Sequence, residues 1–329
     1  MDEASSDEGF ARAEGAEGER RMSEDPVPDG REDRIRVVVV TYESAAVVAG
    51  CLESLRAAAP RRGVDIRVVD NASSDESAAI AAAMLGCDNV LRMPANRGFA
   101  AGVNAGFAGA TGTWIAVVNP DVRIPAGGLD RLADVLEHHP AAGLAAPRVV
   151  DGRGRAERSV GLFPTPRREW VHSWLLDHVG WPGRWARPCR DVARVEWVSG
   201  CAWLLRAEAV RAVGPLDEGY FMYAEDVDYC RRFHDAGWDV LAVPQVEWEH
   251  RVGSGSSATP ALAADGGTAL LRYYGKFHPR IPESRVRALL LRGWRLRLLW
   301  RRARARLGDP SSAAVARRYE IAIRQLDCT

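Results

Sequence analysis

Several short motifs combine carboxylate and amide side chains that could bind a charged substrate or a cation. Asp70 ends the apolar run DIRVVD, where a carboxylate can accept the imide N–H of uracil or thymine. Asp70 fits a turn before a helix equally well, because Asx side chains favour turns. Asp121 ends the motif Asn119-Pro120-Asp121 and could hold a hard divalent cation through oxygen. A plain loop is the alternative there, since Asn-Pro is a common turn dipeptide.

Two later motifs could move or hold a proton. Asp226 follows Glu225 and the aromatic run GYFMY, and a carboxylate against aromatic surface is a candidate for a raised pKa and a general-base role. The same acidic residues would also compensate a helix dipole, with Arg231 and Arg232 further along. His250 stands in WEHRVGSGS before a Gly/Ser stretch, which favours a position facing a site. A structural role is the alternative for a lone histidine.

The segment ANRGFAAGVNAG spaces three glycines four residues apart, at Gly98, Gly102 and Gly106. Small residues at this spacing let a helix lie close to a sheet or a ligand, and close helix packing is the favoured interpretation. Arg97 is either a surface charge or a partner for a diphosphate, because guanidinium pairs well with phosphate oxygens.

Alternating strands and helices must position these motifs. The runs IRVVVVTY and DIRVVD are apolar enough for strands buried in a parallel sheet. Between them, residues 45–58 predict a helix whose apolar face consists of Val48, Cys51, Leu52 and Leu55. Further strands are predicted at 88–92 and in TWIAVVNPDV, with a small-residue helix at 98–109. The alternation predicts an α/β fold with a doubly wound, mostly parallel sheet, which binds ligands beyond the carboxyl ends of its strands.

The pattern is weaker after Val150. A short helix is predicted at 167–179, followed by a strand in VEWVSGCAWLLR, a helix at 207–213 and a final strand in WDVLAVP. In the earlier turn NASSDES, Ser73 and Glu76 have the spacing of a capping box at the start of a helix.

The whole chain narrows the class of protein. It has 329 residues with 44 basic and 44 acidic side chains, and this neutral balance disfavours nucleic acid as a partner. Residues 1–33 are acidic and poor in large apolar side chains, which predicts a disordered tail. Scattered cysteines, the lack of a signal-peptide pattern and the lack of a long apolar run predict a cytoplasmic protein. The segment Ser284–Arg306 alternates arginines with Leu and Trp, as helices on membrane surfaces do, so we expect peripheral binding to an anionic inner membrane face. A terminal helix that packs on the domain, with its arginines in solvent, is the alternative.

The order of the motifs is more specific than any one of them. VTYES, VVDNASSD, NRGFAAGVNAG, NPDV, GYFMYAEDVDYCRR and WEHRVGSGS resemble the family 2 glycosyltransferases, in particular the bacterial rhamnosyltransferase-like branch that builds cell-surface polysaccharide. The resemblance covers roughly residues 35–256. It implies a GT-A fold with a nucleotide-binding half and an acceptor half over residues 34–256, followed by an Arg-rich helical region at 257–329.

The resemblance also implies roles for individual residues. Nucleotide-sugar contacts would come from Thr41, Asp70, Arg97 and Asn119. Asp121 would stand in the family's metal-binding D-x-D motif and bind Mg²⁺ or Mn²⁺, with His250 as a further ligand. Asp226 would be the catalytic base. Asn119 replaces the first Asp of D-x-D, which predicts weaker metal binding, and Glu43 stands where many members have Asn, so it receives no role.

The implied reaction is an inverting, metal-dependent transfer of a sugar, with rhamnose favoured. The donor would be a dTDP- or UDP-linked sugar and the acceptor a glycan or a polyprenyl-linked sugar. A nucleotidyltransferase is one alternative, although the first loop, TYESAAVV, lacks the Gly-rich, basic element of that class. A non-catalytic sugar-nucleotide-binding protein is another: Asn119 favours it, whereas Asp121 and Asp226 argue against it.

Overall fold

The computed structural model describes residues 34–174, 186, 189–251 and 260–328, so the predicted tail at 1–33 lies outside the described residues. Within these residues, nine strands form the central sheet: β1 Ile35–Thr41, β2 Val64–Asp70, β3 Val90–Arg92, β4 Trp114–Val118, β5 Val122–Arg123, β6 Ala142–Val150, β8 Ala193–Arg194, β10 Ala202–Arg206 and β11 Asp239–His250. Their order is β3-β2-β1-β4-β10-β6-β11-β5, with β8 paired to β11. Two short strands, β7 Val160–Gly161 and β9 Trp197–Val198, pair separately.

Helices cover the sheet and extend the chain at its C-terminal end. They are α1 Val48–Leu55, α2 Ser77–Leu85, α3 Phe99–Phe107, α4 Gly128–His138, α5 Pro166–Ser173, α6 Ala207–Val213, α7 Glu225–Asp235, α8 Pro260–Phe277, α9 Glu283–Arg306 and α10 Pro310–Cys328. The helix predicted at 167–179 is observed as α5, and the remainder of that prediction falls mostly on residues outside the described part of the chain.

The first half of the sheet has the predicted parallel arrangement. β1 lies between β2 and β4, parallel to both, and all seven of its residues are buried. The predicted apolar face of α1 is confirmed, because Val48, Cys51, Leu52 and Leu55 are all buried. The carboxyl ends of β2, β1 and β4 therefore meet at one edge of the sheet, where ligands bind in such folds.

The second half of the sheet is mixed. β10 runs antiparallel to both β4 and β6, whereas β6 and β11 are parallel to each other. β10 thus joins the two halves into one continuous sheet, as the GT-A expectation requires. The parallel pairing that the sequence predicted for most of the sheet is confined to β3-β2-β1-β4 and to the β6–β11 pair.

Two local predictions need correction. β2 was expected to be buried, but its first four residues are only partly buried. The capping box in NASSDES is wrong: the Ser73 hydroxyl accepts the Glu43 backbone N–H, and Glu76 makes no side-chain cap on α2. Asp75 instead accepts the backbone N–H of Ser77, the first residue of α2, and that of Ala45. An acceptor one residue before the cap position replaces the predicted pair because it also holds the loop after β1.

The three-glycine segment packs as predicted. A Cβ at Gly102 would lie 2.6 Å from a methyl of Val40, and one at Gly106 would overlap Val38. Both valines belong to β1, so α3 lies directly against the sheet because its facing positions lack side chains.

The C-terminal helices share the core of the sheet. Residues of α8, α9 and α10, including Tyr273, Trp294 and Leu326, belong to the same buried cluster as Val38 and Trp203. The broad apolar face predicted for Ser284–Arg306 is therefore mostly internal, since Leu290, Leu291 and Trp294 are buried. In the described part of the chain, no helix combines the length and apolarity needed to cross a bilayer.

Candidate active site

The ends of β1 and β2 form the first part of the site. Thr41 and Asp70 are partners in the parallel register, and the Thr41 hydroxyl donates to the Asp70 carboxylate at 3.1 Å. The other Asp70 oxygen accepts the backbone N–H of Ser73 at 3.2 Å and lies 3.8 Å from the Arg92 guanidinium. The turn-forming role considered for Asp70 is thus observed, and its contact with a nucleotide base stays a prediction.

Asn71, which the sequence analysis did not single out, fixes the loop before α3. Its side-chain amide donates to Asn96 at 2.9 Å and to the Gly98 carbonyl at 3.0 Å, and its oxygen accepts the Arg97 backbone N–H. Gly98 has a φ of +87°, and a Cβ there would overlap the carbonyl of Phe221. The loop between β3 and α3 therefore touches the aromatic segment before α7, because only glycine allows this approach.

The Arg97 side chain points to a partner that the sequence did not indicate. Its guanidinium donates to Glu218 at 2.7 Å, and Glu218 also accepts from the Asn104 side chain. The Arg97 side chain is 58% exposed, so this ion pair contributes little to stability and can open at small cost. A diphosphate contact by Arg97 requires that opening and stays a prediction.

Asp121 lies in the turn between β4 and β5. The turn is held by the Asn119 backbone N–H, which donates to the Cys201 carbonyl at 2.9 Å. Asp121 is only 9% exposed, and its Oδ1 has no hydrogen-bond partner among the described residues. His250 Nε2 lies 3.2 Å from the same oxygen, as an ion pair rather than a hydrogen bond. β5 and β11 produce this approach, because Val122 and His250 are partners in their antiparallel register.

His250 bridges two carboxylates. Its Nε2 faces Asp121, and its Nδ1 lies 2.9 Å from Glu157 Oε2. Burial lowers the pKa of His250, but the contacts with Asp121 and Glu157 outweigh burial and raise it to about 9. His250 therefore lies beside Asp121, and its role as a metal ligand stays a prediction. Glu157 was missed because it stands 93 residues away in the chain, in a stretch without a motif.

The residues around Asp121 fit a divalent cation with few protein ligands. No group of three or more metal-ligating side chains occurs in the described ranges. An unpartnered, buried carboxylate oxygen is nevertheless the ligand that Mg²⁺ or Mn²⁺ favours, and such ions commonly complete their coordination with substrate phosphates and water. His250 can ligate only as the neutral imidazole, so cation binding here would release its proton.

Asp226 occupies the start of α7. Two residues with left-handed backbone, Tyr223 and Ala224, precede the helix and turn the chain sharply. The Asp226 carboxylate accepts the backbone N–H of Gly200 at 3.2 Å and that of Val227 at 2.8 Å. Burial raises the pKa of Asp226 to about 6, although these backbone hydrogen bonds oppose the shift. A carboxylate with this pKa is ionised at neutral pH and accepts a proton more readily than an exposed one.

Glu225 is the second member of this carboxyl pair. It is 6% exposed, and within the described structure its Oε2 has no hydrogen-bond partner. Burial, and then the charge of Asp226, raise the pKa of Glu225 well above its usual value. The raised pKa favours the neutral form of Glu225, which leaves Asp226 as the candidate proton acceptor of the pair.

Asp228, one turn into α7, has a structural role. It is fully buried and accepts from Lys276 at 2.6 Å, from Arg232 at 2.8 Å and from the Tyr220 hydroxyl at 3.3 Å. Lys276 lies on α8, so this cluster ties the C-terminal helices to α7. Both Asp228 oxygens are occupied by cationic side chains, so neither is free to contact an acceptor hydroxyl.

The segment Ser199–Cys201 joins the two carboxylate groups. Gly200 donates to Asp226, and the Cys201 carbonyl holds the Asn119 turn. Burial raises the pKa of the Cys201 thiol to about 12, with opposition from Ser199 and a further rise from the charges of Glu157, Asp121 and Asp226. Adjacent residues, Gly200 and Cys201, therefore contact Asp226 and the turn that carries Asp121, which brings the predicted base and the predicted metal residue to the same segment.

This fold is that of the GT-A glycosyltransferases. Solved structures support the fold: the mannosyltransferase PcManGT from Pyrobaculum calidifontis, in complex with GDP-Man and Mn²⁺, matches with a TM-score of 0.53 and 16% identity, over 89% of this chain and 84% of that one. GalNAc-T7 with UDP, GalNAc and Mn²⁺ also has a TM-score of 0.53, at 13% identity, over 76% of this chain and 52% of that one.

The sequence comparisons give the family. The profile described as Glycosyl transferase family 2 matches residues 36–188. An N-acetylglucosaminyl-diphospho-decaprenol L-rhamnosyltransferase from Mycobacterium tuberculosis is 34% identical over 70% of this chain and 80% of its own length. A pre-mycofactocin glycosyltransferase from the same species is 32% identical over 64% of this chain and 41% of its own length. The chain belongs to glycosyltransferase family 2, which confirms the expected resemblance to bacterial rhamnosyltransferases.

Proposed function

We propose that the protein is an inverting, divalent-metal-dependent rhamnosyltransferase of cell-surface polysaccharide synthesis. The donor is a nucleotide-diphosphate sugar, with dTDP-rhamnose preferred over a UDP-linked sugar. The acceptor is a hydroxyl of a polyprenyl-diphospho-N-acetylglucosamine or a related glycan. The rhamnosyltransferase relative supports the sugar and the acceptor through its name. The observation that carries the reaction type is the pairing of a proton-accepting Asp226 with a cation-seeking Asp121 at one site.

The proposed chemistry is a single displacement. The acceptor hydroxyl has a pKa far above neutral and needs a base beside it at the moment of attack. Asp226 takes the proton while the hydroxyl oxygen forms a bond to the anomeric carbon. The bond from that carbon to the diphosphate oxygen breaks on the opposite face, which inverts the anomeric configuration. Glu225 remains protonated and keeps negative charge low beside the attacking oxygen.

The cation supplies charge neutralisation for the departing diphosphate when it is bound. Asp121 is its main protein ligand, with Asn119 and neutral His250 beside it. Glu157 orients the His250 ring through Nδ1, as carboxylates commonly do behind metal-binding histidines. Arg97 and the Thr41–Asp70 pair bind the nucleotide, after the Arg97–Glu218 ion pair opens.

The proposed domain organisation is the one that a lipid-linked acceptor requires. Residues 34–256 form the catalytic domain, and residues 257–329 form a helical region that brings the enzyme to the inner face of the cell membrane from the cytoplasm. A lipid-linked acceptor gives the enzyme a reason to work at that surface.

A donor panel tests the proposal. We expect dTDP-rhamnose to raise the thermal stability of the full-length protein, by about 2.7 kcal/mol at 100 times its Kd. With Mn²⁺ and a polyprenyl-diphospho-N-acetylglucosamine acceptor, it should yield a rhamnosylated product with inverted configuration by NMR. Donor binding without transfer or hydrolysis, with any panel acceptor, would identify a non-catalytic binding protein instead. A product of retained configuration would contradict the single displacement.

A further inference from the structure

An open groove runs along the surface where α9 passes the end of α5. It has a volume of about 440 Å³ and is lined by Trp174, Ala288, Arg292, Arg295, Leu296 and Leu299. Its position is fixed by Arg297, whose buried guanidinium donates to the carbonyl of His172 on α5 at 2.9 Å. We call this surface the α5–α9 groove. It is separate from the carboxylates of the active site.

Large apolar side chains remain exposed at the groove. Leu299 is 61% exposed and Trp174 is 42% exposed, and Trp170, one turn earlier on α5, is 46% exposed. The Arg292 guanidinium lies 4.1 Å from the centre of the Trp174 ring. An exposed tryptophan that contacts an arginine, with an exposed leucine in the same groove, is typical of surfaces that lie at the level of lipid headgroups.

The rim of the groove is basic. Helix α9 carries nine arginines and a single acidic residue, Glu283. Exposed arginines follow the groove at spacings of seven, three and seven residues, at positions 285, 292, 295 and 302. Arg295 pairs with Asp327 and Arg302 with Glu320, but Arg285 and Arg292 have no carboxylate partner in the described part of the chain. The rim therefore presents positive charge that an anionic surface would complement.

The groove is connected to the acceptor side of the active site. Arg168 on α5 donates to Glu196 at 2.6 Å, and Glu196 directly precedes β9. Gly200, which donates to Asp226, follows only four residues after Glu196, a distance of at most roughly 14 Å along an extended chain. A surface that anchors α5 would therefore hold the base close to that surface.

We propose that the α5–α9 groove and its arginine rim dock the enzyme on a bilayer that contains anionic lipid. The proposal rests on the proposed function in one respect, because a lipid-linked acceptor selects a bilayer over a soluble acidic partner. It narrows the interfacial surface expected from the sequence, since Leu290 and Trp294 of α9 are core residues and cannot enter lipid. Trp174, Arg292 and Leu299 make the contact.

Vesicle sedimentation of the full-length protein tests the docking directly. Removal of α9 would expose the core, so point variants at the groove are used instead. We expect binding to phosphatidylcholine vesicles that contain phosphatidylglycerol, weaker binding at high salt, and little binding to phosphatidylcholine alone. Arg292→Ala should lower the partition coefficient about fivefold, the loss expected for one basic residue near an anionic surface. Arg292→Ala combined with Leu299→Ser should lower it further.

A matched double variant controls for charge and hydrophobicity. Arg211→Ala with Leu91→Ser removes one exposed arginine and one exposed leucine far along the chain from α9, and it should bind as the wild type does. Equal thermal melting of all variants confirms their folding. If the groove variant binds anionic vesicles as well as the control variant, or if the wild type ignores them, the proposal is overturned.

Transfer assays separate this proposal from the proposed function. The groove variant should keep normal transfer to a water-soluble acceptor and lose transfer to a vesicle-embedded one. Absence of transfer by the wild type to either acceptor would contradict the function but leave the sedimentation result standing. The acidic segment 1–33 is the competing occupant of the rim. If only a chain without residues 1–33 binds vesicles, the segment covers the groove and the full-length protein does not dock.

Discussion

Two buried carboxylates lie on either side of Ser199–Cys201 and have opposite surroundings. Asp121 faces the imidazolium of His250 at 3.2 Å, whereas Asp226 faces backbone N–H groups and the neighbouring carboxyl of Glu225. The charge of Asp121 is therefore compensated by the His250 imidazolium. Asp226 has no cationic partner of this kind, and burial raises its pKa. The difference teaches that the neighbours of an aspartate decide whether it serves a metal ion or a proton.

The largest expected effect comes from the proton-accepting side. Asp226→Asn preserves the shape of the side chain but removes its proton affinity, so transfer should fall by about 10²–10⁴-fold while donor binding survives. Initial rates of transfer and donor titrations measure the two quantities separately. Near-normal turnover in this variant would show that Asp226 is not the base. Glu225 would then be the candidate, and the proposed difference in role between Asp121 and Asp226 would be wrong.

The next effect comes from the cation side. EDTA should abolish transfer, and Mg²⁺ or Mn²⁺ should restore it, because the diphosphate leaves without compensation otherwise. Asp121→Ala should weaken binding of the nucleoside diphosphate more than binding of the nucleoside, which isothermal titration can compare. Full activity in EDTA would show that His250 alone supplies the positive charge beside Asp121.

A smaller effect, on Mn²⁺ affinity, is expected from changing Glu157, which contacts Nδ1 of His250. Glu157→Gln keeps a hydrogen-bond acceptor near Nδ1 but removes the charge, and Mn²⁺ affinity should fall by about 10–100-fold. Electron paramagnetic resonance of free Mn²⁺ gives that affinity without an activity measurement. Glu247→Gln, at an exposed carboxylate that pairs with Arg148, is the matched control. Equal affinities in the two variants would leave Glu157 with a structural role only.

The smallest effect distinguishes the members of the carboxyl pair. Burial, and then the charge of Asp226, raise the pKa of Glu225, which favours its neutral form, and Gln reproduces that form. Glu225→Gln should therefore keep transfer within about tenfold of the wild type, or about 1.4 kcal/mol of barrier. A loss as large as that of Asp226→Asn would reverse the assignment within the pair.

The sequence predicted the parts of the molecule that depend on local pattern. Continuous apolar runs identified β1 and β4, and positions at strand ends brought Thr41, Asp70 and Asp121 to one edge of the sheet. Small residues in α3 predicted its close contact with β1. No single motif was specific enough to identify the family, but the order of the motifs along the chain was.

The sequence did not predict the side-chain pairs between residues that are distant in the chain. The Arg97–Glu218 pair joins residues 121 positions apart, and the His250–Glu157 pair joins residues 93 positions apart. Neither Glu218 nor Glu157 stands in a recognisable motif. The covering of the apolar face of α9 stayed open for a related reason: helical spacing shows that a face is apolar but not whether protein or lipid covers it. The structure buries Leu290, Leu291 and Trp294 of that face, and membrane binding by the rest stays a prediction. The capping box failed because its Ser73 groups have other partners: the Ser73 backbone N–H donates to Asp70, and the Ser73 hydroxyl accepts from Glu43.

The pH dependence of kcat/KM for transfer, measured at saturating Mn²⁺, tests the central contrast most directly. Burial raises the pKa of Asp226 to about 6, so the base form is present above that pH and is lost as the pH falls through it. The wild type should therefore show an acid limb near pH 6, and the residual activity of Asp226→Asn should lack it. An unchanged acid limb in Asp226→Asn would contradict the assignment of the proton to Asp226.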